Sequence, residues 1–225
     1  MLNQQPTGGR NGVHLAIDAS GRHLVLANYA TGTVALLPIG QDGSLGARSD
    51  LVTLTGTPGP HKTQQESSAG AAPRHADFHP ALPYVYVINE LDSTIAVYRI
   101  DPDKGILEPL QVHTTMPSRY TGNNTGAEIA VAPSGRFLYG SNRGHDSIAI
   151  FSIDQSTGLL TSVGWEPTQG RTPRFFALDP PGAHLYAANQ ASDTVVIFRV
   201  DQTTGKLTPT GETIDVKTPV TIAFR

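Results

Sequence analysis

An all-β chain built from repeated four-stranded modules is what three features of this sequence predict. Short runs of Val, Ile, Tyr and Phe with period two, such as YVYVIN and TIAVYRI, stand between clusters of Gly, Pro, Asp and Ser. These are strand-and-turn signals, and no helical periodicity competes with them. An asparagine that follows an apolar run recurs at Asn28, Asn89, Asn142 and Asn189, in steps of 61, 53 and 47 residues. A glycine that closes each copy, at Gly43, Gly105, Gly158 and Gly205, keeps almost the same unequal steps of 62, 53 and 47. Two independent landmarks moving together make a chance alignment untenable. Four antiparallel strands in each repeat of roughly 50 residues is the pattern of a β-propeller blade.

The clearest copy starts at Pro73. Arg74–His79 reads as a first strand, HPALP as a turn, Tyr84–Asn89 as a second strand, ELDS as a turn and Thr94–Ile100 as a third strand. After DPDKG a more polar strand is expected near Pro109–Thr115. The first strand of a blade is innermost and the fourth outermost, so outer strands such as LTSVGWEP should be the most polar. Extended along the chain, this reading gives complete blades at roughly 12–55, 73–115, 126–167 and 172–216, in one domain over 1–225. Residues 56–72, GTPGPHKTQQESSAGAA, form a linker that is polar and longer than compact domains usually need. It reads as a surface loop or as the place of an absent blade. The C-terminal TPVTIAFR is similar to another first strand, and the N-terminal LNQQPTGG to a fourth strand with its exit turn, as in GWEPTQG at 164–170. The expected architecture is therefore about four complete blades with partial-blade strands at 1–6 and 218–225, in an open or incomplete ring. Unpaired blade edges would invite self-association.

Composition removes several function classes. With 38% hydrophobic and 16% charged residues the chain reads as folded, and a net charge of −3 gives no case for nucleic acid or an anionic membrane. No run of ~18 apolar residues predicts a membrane span, and MLNQQPTGGRNG lacks the apolar core of a signal peptide. The absence of cysteine excludes disulfides, cysteine nucleophiles and cysteine-bound zinc, and fits a cytoplasmic protein. There is no glycine-rich phosphate loop, no G-x-S-x-G elbow and no metal-ligand spacing, so neither a cofactor nor a metal is expected.

Superposing the copies exposes positions that vary where the scaffold does not. One column lies at the start of the first strand: Val13-His14, Arg74-His75, Ala127-Glu128 and Arg174-Phe175. A second follows the landmark asparagine: Tyr29, Glu90, Arg143 and Gln190. A third is two residues further on: Thr31, Asp92, His145 and Ser192. Together these columns hold His14, Arg74, His75, Glu90, Glu128, Arg143, His145 and Arg174. Arginines, histidines and carboxylates lining a channel would suit a small anionic substrate and acid–base chemistry. Structural roles stand beside the functional ones: Arg143 or Arg174 could pair with Asp146 or Asp193, and His14 and His145 could serve the turns. Arg74 and Glu90 are the strongest pair, being in one blade and costly to bury without partners. The repeated asparagines read as turn-tying groups, as do Thr33, Thr94, Ser147 and Thr194.

PRHADFHP, YVINELDSTIAVYRID, AEIAVAPSGRFLYGSNRGHDSIAIF, TPRFFALDP and HLYAANQASDTVVIFRVD together resemble the seven-bladed lactonase family of 6-phosphogluconolactonases, which also holds the fungal carboxymuconate cyclases. The resemblance covers nearly the whole chain. It implies a β-propeller that opens 6-phosphogluconolactone with water, in the oxidative pentose phosphate route. The arginine and glutamate implicated in the cyclase branch fall on Arg74 and Glu90. Seven blades of about 50 residues need well over 300, whereas this chain has 225. The family's histidine-bearing strand is missing between HKTQQESS and AGAAPRH, and His61 is not its match. Three readings follow. The first is a lactone hydrolase with Glu90 or His75 as base, Arg74 as oxyanion stabiliser and Arg143 or Arg174 for the phosphate. The second is a carboxymuconate cycloisomerase using the same Arg and Glu. The third is a truncated, non-catalytic propeller.

Overall fold

The computed structural model describes residues 2–54 and 71–224. Sixteen strands form four sheets, each a four-stranded antiparallel meander whose strands pair in chain order. The first holds β1 (Gly12–Ile17), β2 (His23–Asn28), β3 (Thr33–Pro38) and β4 (Asp50–Thr53). The second holds β5 (Pro73–Phe78), β6 (Tyr84–Asn89), β7 (Thr94–Asp101) and β8 (Ile106–Thr114). In the third are β9 (Thr125–Val131), β10 (Phe137–Arg143), β11 (Ser147–Ile153) and β12 (Leu160–Pro167). The fourth comprises β13 (Pro173–Leu178), β14 (His184–Asn189), β15 (Thr194–Val200) and β16 (Leu207–Asp215). A one-turn 3-10 segment at Tyr29–Thr31 is the only helical element among the described residues.

By packing, the chain resolves into two compact units, Met1–His113 and Thr114–Arg225, where the sequence suggested one domain. In the first unit Val25, Val34 and Leu36 pack with Phe78, Val85, Val87 and Tyr98 between its two sheets. In the second, Phe137, Tyr139, Ile148 and Ile150 meet Phe176, Leu185, Val196 and Phe198. Tyr139 is fully buried because its hydroxyl donates to the Gly205 carbonyl at 2.9 Å, and burial pushes its pKa up. The same glycine has φ +72°, and a Cβ there would stand 2.4 Å from the Phe137 ring. Both requirements leave glycine as the fitting residue. All four landmark glycines have positive φ.

The outer strands β8 and β16 are exposed over much of their length, as expected of the outermost member of a blade. The expected bounds shift slightly. β5 runs Pro73–Phe78 rather than Arg74–His79, because His79 has turned to accept the N–H groups of Ala81 and Leu82 on Nδ1. β8 starts at Ile106, earlier than expected, where the Leu107 N–H donates to Asp50.

The terminal segments do not form the expected strands. Near the N-terminus Asn3 bonds both the N–H and the C=O of Leu45 through its side chain, which occupies the groups a ladder would use. At the other end Phe224 packs edge-on against Tyr186, with ring centroids 5.2 Å apart. The exit-turn part of the expectation holds. Thr7 donates to Asn28 as Thr115 donates to Asn142, and Asn189 donates to the Thr168 carbonyl. Gly9 and Gly170 abut those asparagines, each leaving 2.4 Å between a hypothetical Cβ and the amide. Most of the expected linker, with His61, lies outside the described residues, although Ala71 and Ala72 are buried.

Candidate functional site

The repeat geometry decides which side chains meet in the first unit. Between the first and second copies the step is 61 residues, and that step carries His14 onto His75 and Tyr29 onto Glu90. The imidazoles of His14 and His75 stack with centroids 4.2 Å apart and planes 16° from parallel. The Tyr29 hydroxyl donates to Glu90 Oε1 at 3.3 Å. Equivalent positions of neighbouring blades are thus in direct contact.

Two backbone devices place these groups. The first strand of each copy has a bulge at its start: Pro73 pairs with Asn89 and His75 with Ile88, so Arg74 is the inserted residue. Val13 and Arg174 hold the same place in β1 and β13. A regular strand sends successive side chains to opposite faces, whereas a bulge re-aims one of them. This allows Arg74 Nη1 to approach the Nε2 of its own neighbour His75 to 3.0 Å. The second device is a left-handed residue before the bulge, Ala72 with φ +50°. Its carbonyl accepts the Glu90 N–H at 2.9 Å, which sets the carboxylate beside the bulged arginine. Asn11 and Thr172 do the same for Tyr29 and Gln190.

The centre of the cluster is the ion pair of Arg74 Nε with Glu90 Oε2 at 2.9 Å, with side chains 10% and 21% exposed. An arginine can only donate, so His75 accepts on Nε2 and holds its proton on Nδ1. His75 is thereby a brace for Arg74, and its lone pair is already committed. His14 accepts the Ala76 N–H on Nδ1 at 3.1 Å, which leaves its proton on Nε2. Burial, then the neighbouring His75 and the Arg74 guanidinium, lower its pKa from 6.5 to about 4, so it is neutral at physiological pH. Tyr29 joins the cluster although charge alone did not select it; its signal was its place in Glu90's column.

The other four candidates lie in the second unit. Glu128 is buried, and its Oε1 accepts the Ile129 N–H at 3.0 Å. Arg143 donates to the Gly126 carbonyl at 3.2 Å. His145 lies 2.6 Å from the Ser147 hydroxyl and edge-on to Tyr120, and burial lowers its pKa against the opposing charge of Asp146. Arg174 is half-buried at its bulge. The partners suggested for the arginines are engaged elsewhere: Asp193 holds Lys217 at 2.9 Å, and Asp146 accepts the Thr172 N–H at 2.8 Å. The third column is turn chemistry in several copies. Thr31 and Ser192 accept the Arg10 and Arg171 N–H groups, and Asp92 accepts from Thr94.

A cavity of about 420 Å³ lies at the opposite end of the first unit's strands, lined by Arg22, Phe78, His79, Pro83 and Ile100 among others. None of the candidate residues lines it. Its walls come from the β1–β2 and β5–β6 turns, with Ile100 and Pro102 beside them. Among the described residues no three metal-ligating side chains gather, and no helix is long and apolar enough to cross a membrane.

Comparison with known proteins bears on the family and the fold. A 6-phosphogluconolactonase of Bacillus subtilis is 32% identical over 78% of this chain and 62% of its own length. One of Pectobacterium carotovorum is 33% identical over 72% of this chain and 59% of its own length. The chain thus spans about three fifths of these curated relatives. Among solved structures, the periplasmic gluconolactonase PpgL of Pseudomonas aeruginosa superposes with a TM-score of 0.67 at 25% identity, over 96% of this chain and 73% of its own. The family model described as "Lactonase, 7-bladed beta-propeller" matches residues 1–69 and 66–224, two segments that meet inside the expected linker. With four blade-type sheets and that match over nearly its full length, the chain belongs to the seven-bladed β-propeller lactonase family.

Proposed function

We propose that the protein is a lactone hydrolase that opens 6-phosphogluconolactone to 6-phosphogluconate. The observation that supports this best is the Arg74–Glu90 pair, little exposed and braced on both sides by Tyr29 and His75. In this reading Glu90 takes a proton from water as the water oxygen bonds to the lactone carbonyl carbon. The carbonyl π electrons move onto oxygen, and the Arg74 guanidinium stabilises the oxyanion. Collapse of the tetrahedral species breaks the ring C–O bond, and the departing ring oxygen receives a proton back from Glu90. His75, expected as an alternative base, serves instead to hold Arg74, since its Nε2 lone pair faces that guanidinium.

The curated relatives named 6-phosphogluconolactonase support the substrate class. Neutral His14 supplies a hydrogen-bond donor rather than a charge. The substrate-binding roles expected for Glu128, Arg143, His145 and Arg174 rest on their columns in the repeated sequence. A cytoplasmic setting, expected from the cysteine-free sequence, and self-association through blade edges belong to the same reading.

The test is hydrolysis of freshly generated 6-phosphogluconolactone, followed against its spontaneous opening. The wild-type protein should exceed the background, and Glu90→Gln should lower kcat by about 100-fold or more. A rate equal to the spontaneous one, or indifferent to Glu90→Gln, would refute the assignment.

A further inference from the structure

We propose that Tyr29 is a positioning residue for Glu90, fixing the direction in which the carboxylate presents its lone pairs. The inference rests on the hydrolase reading above and adds a residue that the charge pattern did not select. A carboxylate offers two lone-pair directions on each oxygen, and as a base it works only if one of them faces the water it deprotonates. Here Oε2 is held by Arg74 Nε at 2.9 Å and Oε1 by the Tyr29 hydroxyl at 3.3 Å. A donor on each oxygen sets the rotation of the carboxyl plane, a torsion that is otherwise broad. The two donors come from different blades, so the carboxylate is oriented by the scaffold rather than by one flexible side chain.

Tyr29 is itself well fixed. It is half-buried and opens the 3-10 turn after β2, its N–H bonds the Asn11 carbonyl at 2.9 Å, and its own carbonyl accepts the Gly32 N–H at 3.3 Å. A tyrosine reaches far with only two side-chain torsions, so little freedom is left once its backbone is set. The hydroxyl contact is at the long end of hydrogen-bond geometry, which suits a group that steers the carboxylate and leaves Arg74 as its principal counter-charge.

Tyr29→Phe keeps the ring and deletes the donor. On 6-phosphogluconolactone this variant should lose about tenfold in kcat with KM unchanged. In a Glu90→Gln background the same change should have no further effect on the residual rate, because the orienting hydroxyl then has no base to serve. A second measurement is independent of activity. In protein labelled with ¹³C-carboxyl glutamate, the Glu90 signal, assigned by its loss in Glu90→Gln, should move in Tyr29→Phe more than any other glutamate signal. A wild-type kcat in Tyr29→Phe, or an equal loss in both backgrounds, overturns the inference. If Glu90→Gln leaves the rate untouched, the hydrolase reading fails instead. The carboxyl signal then decides the inference by itself: unmoved, it is overturned, and moved, Tyr29 still orients Glu90.

Discussion

The two compact units share a scaffold and differ in what they place at its variable positions. Each has two blade-type meanders and an apolar core between them. Each uses the buried landmark asparagine to tie a turn to an exit segment. In the first unit the repeat step brings His14 to His75 and Tyr29 to Glu90, and these pairs surround an ion pair. In the second unit the corresponding step, of 47 residues, relates Glu128 to Phe175 and Arg143 to Gln190. The period of the fold thus decides which positions face one another, and the residues at those positions decide whether chemistry results. The core diverges in the same manner: Ala76 in the first unit holds the place that Phe176 fills in the second.

That last difference gives the largest expected effect. Phe176→Ala, which makes the second unit like the first at this position, should cost about 3–5 kcal/mol in chemical denaturation by opening a cavity. The reverse change, Ala76→Phe, should cost about 1–3 kcal/mol through overpacking. A loss below 1 kcal/mol in both variants would show that the two cores are interchangeable here. A middle-sized effect tests the shared scaffold. Gly9→Ala and Gly170→Ala each drive a Cβ into an asparagine amide at 2.4 Å, and should each cost about 1–3 kcal/mol. Unequal costs would break the equivalence drawn between the N-terminal segment and a blade exit.

The smallest effect is a pH dependence. Folded His14 stays neutral down to about pH 4 because burial and its neighbours His75 and Arg74 oppose protonation. The unfolded chain accepts that proton near pH 6.5, so between these values it binds more protons than the folded chain. The contribution is therefore complete above pH 6.5 and is lost as the pH falls towards 4, by roughly 1–2 kcal/mol after allowance for partial exposure. Thermal melts of the wild type and His14→Gln at pH 7 and pH 4.5 should differ in this sense. His145→Gln, in the second unit, should show a weaker form of the same trend, since Asp146 opposes the effect of burial there.

The strands were legible because period-two runs such as Tyr84–Asn89 have no competing reading, and the landmarks fixed the number of sheets. The terminal strands were not, because the similarity of LNQQPTGG to a blade exit is carried by Thr7 and Gly9, while Asn3 binds Leu45 through its side chain. Within the site, column positions alone pointed to His14, Arg74, His75 and Glu90. They could not show that His75 spends its lone pair on Arg74, since that depends on a bulge whose register only the paired strands reveal. Tyr29 was passed over although it stands in Glu90's column, because only arginines, histidines and carboxylates were gathered from the columns. Reading neighbouring copies at a constant offset, with hydroxyls counted among the polar groups, would have paired it with Glu90.

The asparagine joint has an evolutionary corollary. Asn28, Asn142 and Asn189 each bond a threonine at the tail of the segment before, Thr7, Thr115 and Thr168. A whole module inserted or deleted between two such joints leaves each surviving amide with a matching receiver. Gene duplication or loss in units of one blade therefore preserves the linkage chemistry, while a cut inside a blade would strand half a joint.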